Sequence, residues 1–276
     1  LKWLTLSLFA YVGTVFAVDV PWHKVIVGTL LPHLKTQSDY VLLVVGIFGT
    51  TISPYLFFWQ AGQEVEDKLA RNARAHLSDA PENAAKHLKR IKWDTAIGMG
   101  FSNLIAFFFL LTTAATLYPA GIHDIQTSAQ AAEALRPIAG EFAFAMFAAG
   151  IIGTGLLAVP VLAGSAAYAV AELMRKPASL SLKPAAAKDF YAIIAIATML
   201  GVILNFTSID PIKALLWSAV INGIVAVPLM TALMHMGAQP SLMGRFVIGQ
   251  RMKIMGWLAT AVMTVAVLTL SIISLI

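Results

Sequence analysis

The sequence predicts an all-α integral membrane protein, and three observations carry that prediction. Of its 276 residues, 59% are hydrophobic and 12% charged, and the mean hydropathy is +0.79; soluble domains carry about a quarter charged residues. Apolar runs recur near 3–18, 40–62, 95–117, 141–171, 190–206, 211–234 and 254–276. Each approaches the roughly 20 helical residues that a hydrocarbon core of about 30 Å requires. None alternates with the period of two expected of barrel strands, so the seven runs read as membrane helices.

The first run, within LKWLTLSLFAYVGTVFA, starts almost at the first residue, Leu1. No charged n-region or small-residue cleavage site precedes it, so it reads as a clipped span and not as a signal peptide. The chain is accordingly expected to be N-terminally incomplete. Next, VPWHKVIVGTLLPHL has the character of a short interfacial helix anchored by Trp22. The run 40–62 follows, and then the charged stretch EVEDKLARNARAHLSDAPENAAKHLKRIKWD. That stretch is expected to be helical on either side of Asp79-Ala80-Pro81, with its charges forming a solvated face.

Asp94 and Asp210 are placed at helix starts, where a carboxylate caps free amides and complements the helix dipole, and Glu141 similarly opens a helix. The segment 118–138, polar and Ala-rich, reads as a loop. The long run 141–174 carries Gly150, Gly153, Gly155 and Gly164, which let backbones approach closely, and Pro160, which can kink a helix.

The chain has no Cys, which excludes disulfides, thiolate metal sites and thiol catalysis. Its six His lie in loops or at helix ends, and none pairs at metal-ligand spacing. Counting alternate loops puts fifteen Lys and Arg on one side and four on the other. By the positive-inside rule the side with fifteen is cytoplasmic. The net charge of +5 therefore needs no nucleic acid to explain it.

One run is interrupted from within. GIFGTTISPYLFFWQAG, residues 46–62, sets Gly49, Thr50, Thr51, Ser53 and Pro54 at mid-membrane. Pro54 removes a backbone donor and biases Ser53 away from helical geometry. Several carbonyls around 49–52 are therefore expected to lose their helical donors, at several kcal/mol each in lipid unless something binds them. Freed carbonyls and hydroxyls suit a hard cation. An unwound segment lining a cavity is a recurring cation site in secondary transporters. An ordinary proline kink satisfied by neighbouring helices accounts for the same residues equally well.

The passage resembles the sixth helix of the Nramp (natural resistance-associated macrophage protein) family of divalent-metal transporters, in a bacterial branch with Ser-Pro-Tyr where most members have Met-Pro-His. LKWLTLSLFAYVGTVFAVDVPWHKV is similar to that family's fifth helix and the following link. DTAIGMGFSNLIAFFFLLTTAATL, GIIGTGLLAVPVLAGSAAYAVAE and IKALLWSAVINGIVAVPLM resemble later helices, so the likeness covers essentially the whole chain. It implies the leucine-transporter-like inverted-repeat fold as a single transmembrane domain over 1–276. Residues 1–38 would close the first repeat and its extracellular linker. Residues 39–235 would form the second repeat with the broken helix 40–62, and 236–276 a loop and one additional helix.

The resemblance further implies a metal site. Thr50 falls at the family's coordinating carbonyl and Ser53 at its metal-binding Met; Gly49, Thr51 and Pro54 shape the break. Tyr55 and Gln60 fall at two positions usually occupied by His. Neither position then carries an imidazole, the side chain suited to moving protons at physiological pH, which weakens the case for proton coupling. A thioether favours softer transition metals over Mg²⁺ and Ca²⁺, so a hydroxyl at Ser53 leaves an all-oxygen site suited to Mg²⁺ or Mn²⁺. Asn103 falls near a polar-network Asn of the seventh helix, and Asn222 within one residue of a tenth-helix Gln that approaches the metal. For each, an interhelical hydrogen bond without ligand contact is the competing role.

The family's Asp-Pro-Gly-Asn motif is not among these residues. The expected activity is secondary transport of Mn²⁺, Fe²⁺ or Mg²⁺ by alternating access, as symport if protons accompany the metal. The membrane is expected to be the bacterial plasma (inner) membrane. Metal is then substrate, no cofactor is implied, and the partners are the cation, protons and the bilayer. The alternative is a same-fold carrier of an organic substrate such as an amino acid. An intramembrane enzyme fits poorly, because the spans lack Cys and any His–Glu pair. A channel fits poorly too, because one asymmetric broken helix is not a ring of identical subunits.

Overall fold

The computed structural model describes residues 4–31, 37–70, 81–122 and 125–274. After a 3-10 turn at Leu4–Leu8 come α1 (Phe9–Phe16), α2 (Trp22–Leu30), α3 (Ser38–Ile52), α4 (Pro54–Ala70) and α5 (Pro81–Thr116). Then follow α6 (Ser128–Leu173), α7 (Lys188–Leu204), α8 (Pro211–Gly237), α9 (Pro240–Met243) and α10 (Gln250–Ile273). No strand occurs among the described residues.

Among the described residues, five helical stretches are long and apolar enough to cross a membrane: Ser38–Lys68, Ala84–Thr116, Gly140–Leu173, Pro211–Gly237 and Gln250–Ile273. Of the seven expected spans, the other two are shorter. The apolar helix Thr5–Phe16 falls short of a full crossing, and α7, at 17 residues, sits at the lower limit. Large side chains such as Phe107, Leu156, Met199, Leu215 and Leu258 are exposed around the helices, as expected where the solvent is hydrocarbon. The short helix expected after the first run appears as α2. Of the charged stretch, 64–70 and 81–90 are helical as expected, and the Asp79-Ala80 step lies outside the described residues.

The chain divides into two compact units. One comprises Leu1–Leu34, Trp93–Ala178 and Leu182–Lys213; the other Lys35–Lys92, Ser179–Ser181 and Ala214–Ile276. In the first, α6 packs along α1 and α7. Its core gathers Tyr11, Ile105, Leu117, Leu135 and Phe147. The Tyr11 ring meets Phe109 and Phe147 edge-on at centroid distances of 5.3 and 5.7 Å, while Phe109 and Phe147 stack at 5.3 Å.

Small residues make this approach possible, as the sequence suggested. A Cβ on Gly150 would lie 2.7 Å from the Tyr11 ring, and one on Gly153 would collide with the Ser7 side chain. Gly155 has open space around it and serves no such contact.

Two expectations fail here. The segment 118–138 is not all loop, since α6 already starts at Ser128. Thr127 caps it: its hydroxyl accepts from the Gln130 amide at 3.1 Å, and the Gln130 side chain accepts from the Thr127 amide at 3.2 Å. This capping box, followed by helix-favouring alanines, outweighs the polar composition. The helix turns at Gly140, whose φ of 84° and ψ of 173° only glycine adopts readily. Arg136 spans that turn, pairing with Glu133 at 3.1 Å and Glu141 at 3.2 Å and lying 3.9 Å above the Phe144 ring.

Asp94 is the second correction. It lies inside α5, because the charged turns before it are helical and continuous with the apolar span. Asp210 does cap α8, accepting from the amides of Ile212 at 2.9 Å and Lys213 at 3.3 Å.

The second unit is built on α3, which packs along α10 with a core of Val41, Val45, Val220 and Leu270. Gly46 and Gly49 of α3 face Ala219 and Gly223 of α8. A Cβ on Gly49 would run into the Ala219 carbonyl oxygen and lie 2.6 Å from the Gly223 nitrogen. A Cβ on Gly223 would lie 2.9 Å from the Val45 carbonyl oxygen. Glycines on both sides thus let the two backbones touch where the long helix breaks.

Candidate functional site

The break falls on a single residue. α3 runs to Ile52, Ser53 adopts a left-handed conformation with φ 45° and ψ 77°, and α4 starts at Pro54. Among the described residues only Arg175 is another non-glycine with positive φ. The local cause is Pro54, which has no N–H to offer the Thr50 carbonyl four residues earlier. The Ser53 hydroxyl takes over that role and donates to the Thr50 carbonyl. Beyond the break, the Leu56 amide donates to the Ser53 carbonyl at 2.9 Å.

The interruption is narrower than expected. The Ser53 amide still donates to the Gly49 carbonyl at 3.0 Å, so that carbonyl keeps its helical partner. The hydroxyls of Thr50 and Thr51 both donate to the Ile47 carbonyl, at 2.9 and 2.8 Å, and so lie back along α3. The break sets the Thr50 carbonyl and the Ser53 hydroxyl side by side. The Ile52 carbonyl also stands at it, because the Leu56 amide that would serve it in a continuous helix goes to Ser53 instead. Ser53 is 2% exposed and Pro54 is buried, whereas Thr50 and Thr51 are exposed.

The remaining expected residues are dispersed. Tyr55 is half-buried in the first turn of α4, and Gln60 stands exposed further along it. Asn222 is half-buried on α8, next to the Gly223 that abuts Gly49. Asn103 belongs to the first unit, exposed on α5. Residues 49–54 and the Ala219–Gly223 stretch therefore form one neighbourhood, to which Asn222 is adjacent by sequence. Sequence reasoning missed Ala219 and Gly223; two small residues spaced four apart on an apolar helix were the available signal.

Among the described residues no three His, Cys, Asp or Glu side chains converge as metal ligands. His33, His76 and His123 lie outside the described residues. On the α10 side of the break the surroundings are apolar, with Phe48, Ile52, Leu258 and Val262 lining a shallow groove. The groove also carries the thioethers of Met255 and Met263, and the two oxygens that the break sets side by side, the Thr50 carbonyl and the Ser53 hydroxyl, are both neutral. Such an oxygen pair favours hard ions and supplies no compensating charge of its own.

Comparison with known proteins places this geometry in context. Residues 1–273 match the family described as natural resistance-associated macrophage protein-like. A relative in Clostridium acetobutylicum, named divalent metal cation transporter MntH, is 26% identical over 253 residues, covering 90% of this chain and 53% of that protein. One of the same name in Caldanaerobacter subterraneus subsp. tengcongensis is 27% identical over 214 residues, covering 77% of this chain and 46% of the relative. A third, in Pectobacterium carotovorum subsp. carotovorum, is 28% identical over 129 residues, or 47% of this chain and 28% of the relative. The chain thus spans about half the length, or less, of the curated relatives it matches.

Proposed function

Because this chain belongs to the natural resistance-associated macrophage protein (Nramp) family, we propose that it carries divalent metal cations across the membrane by alternating access, with the break at Ser53 as part of the metal site. It is an integral membrane protein and its work is transport, not catalysis. The observation that supports the site most is the buried Ser53 itself. Its left-handed backbone and its hydroxyl set the Thr50 carbonyl and Ser53 Oγ side by side. A cation taking both oxygens would replace the hydroxyl-to-carbonyl hydrogen bond and turn the Ser53 hydroxyl proton toward another acceptor. Gly49 and Gly223 hold α3 and α8 together behind the pair. Pro54 enforces the break, and Tyr55, Thr51, Gln60, Asn103 and Asn222 are proposed in supporting roles.

The chemistry of the pair sets the proposed preference. Where the family usually presents a thioether, this chain presents Ser53, so the bias toward soft metals is lost and Mn²⁺ and Mg²⁺ become comparable substrates. The Asp-Pro-Gly-Asn segment is not within these residues, so the oxygens described here are the neutral part of the donor set. The Lys- and Arg-rich side is proposed to face the cytoplasm, and the carried metal is proposed to move inward.

The test uses the complete reading frame in proteoliposomes, following Mn²⁺ entry while external Mg²⁺ is titrated. Strong Mg²⁺ competition with Mg²⁺ itself entering is expected, and Ser53→Met should then raise discrimination against Mg²⁺ by about tenfold, or 1.4 kcal/mol. Mn²⁺ entry indifferent to Mg²⁺, or a Mn²⁺/Mg²⁺ ratio unchanged by Ser53→Met, would overturn the ligand argument. Absence of metal entry would overturn the transport reading.

A further inference from the structure

The end of α4 remote from Ser53 carries three carboxylates, and each has a partner within the second unit. Glu64 and Asp67 are three residues apart and so share one helical face. Both meet Arg90 in the third turn of α5. One guanidinium nitrogen lies 2.6 Å from a Glu64 oxygen and the other 3.0 Å from an Asp67 oxygen. Arg90 thus uses its fork to bridge two carboxylates, a geometry a lysine cannot reproduce. Glu66 projects from a different side of α4 and accepts the Leu180 amide at 2.7 Å, in the short Ser179–Ser181 segment between α6 and α7.

These contacts are neither deep nor dispensable-looking surface chance. Glu64 and Arg90 are each 32% exposed and Asp67 52%, so the pairs sit in partly screened surroundings where ion pairs are modest and reversible. At the other end, α4 joins α3 through one residue, Ser53, in a strained backbone conformation. α4 is therefore suspended between a single-residue pivot and a charged clasp about 16–21 Å away, given a rise of about 1.5 Å per residue. Tilting α4 about the pivot re-aims Pro54 and the Ser53 carbonyl, and the clasp resists that tilt.

We propose that Arg90, Glu64 and Asp67, with Glu66 on the Leu180 amide, form a reversible clasp that sets the tilt of α4 and thereby positions the break at Ser53 for the transport cycle. They are positioning residues and touch no substrate. The role at the break rests on the transport reading above, but the clasp itself is measurable without it.

The experiment takes the complete reading frame with Val65→Cys and Lys89→Cys, two exposed positions beside the clasp, carrying spin labels; this chain has no Cys of its own. Distances between the labels are measured by pulsed electron resonance with the clasp intact, and in the Glu64→Gln/Asp67→Asn background. A single short distance is expected with the clasp intact, and a second, longer population after neutralisation. Mn²⁺ uptake by Glu64→Gln/Asp67→Asn should change in turnover by about threefold or more, the scale of an exposed ion-pair network, while equilibrium Mn²⁺ binding stays within about twofold. Arg90→Lys, which keeps the charge and loses the fork, should fall between.

A distance distribution untouched by neutralisation overturns the clasp whatever the uptake shows. A changed distribution with unchanged turnover overturns its part in the cycle. A protein with the clasp intact that neither binds nor moves metal defeats the transport reading instead, and the distances alone then decide the clasp. Should the neutralised pair fail to fold, the same distances in Arg90→Lys decide it: a single unchanged distance overturns the proposal.

Discussion

Ser53 concentrates several demands on one side chain. Its backbone adopts a left-handed conformation that costs a Cβ-bearing residue about 1–2 kcal/mol, and its hydroxyl serves the carbonyl that Pro54 leaves without a donor. Replacing it separates the two effects. Ser53→Ala loses the hydroxyl and keeps the strain, whereas Ser53→Gly loses the hydroxyl and relieves the strain. Ser53→Gly should therefore be the more stable of the two by about 1 kcal/mol, seen as a higher Tm of the detergent-solubilised protein. Equal Tm values would mean that the left-handed backbone costs nothing there. The Ser-Pro pair is visible in the sequence, and it was enough to locate the break. Its width was not legible, because whether the Gly49 carbonyl keeps its donor depends on the one pair of dihedral angles that Ser53 selects.

At the scale of elements, α6 shows how a local signal can be overruled by composition when read too coarsely. Thr127, Ser128, Ala129 and Gln130 form a capping box, yet the surrounding polar and alanine-rich residues suggested a loop. The helix begins there and bends at Gly140, so its first twelve residues, before the bend, depend on that cap more than on the apolar span beyond. Thr127→Ala should cost about 1 kcal/mol locally. Amide hydrogen exchange should quicken over 128–139 and stay unchanged over 141–173. Quickened exchange along the whole of α6 would show that the bend does not separate the two parts. Asp94 teaches the converse: a helix can start well before its apolar run, since α5 begins at Pro81 and carries solvated turns into the span.

For the whole molecule, the distribution of Lys and Arg remains the strongest statement about placement in the bilayer. Fifteen against four is a bias that insertion respects through short loops. A membrane-impermeant thiol reagent added to intact cells should therefore modify a cysteine introduced at Gln126, between α5 and α6, and spare one at Ser241, between α8 and α10. The reverse pattern would invert the proposed topology. This measurement needs no knowledge of the cargo.

Composition and periodicity by themselves determined that the chain is helical and membrane-embedded, because hydrocarbon leaves a backbone no other economical way to satisfy its amides and carbonyls. Sequence also located the interruption in 40–62, because proline acts on its own backbone and on the four residues before it, and both effects are local. Tertiary structure alone decided what stands beside the break. That Gly49 abuts Ala219 and Gly223 brings together positions about 170 residues apart, and the clasp of Glu64, Asp67 and Arg90 turns charges that read as a solvated face into specific pairs. No local pattern encodes such contacts, since close approach and charge pairing depend on which helix faces meet, and that is settled only when the chain packs.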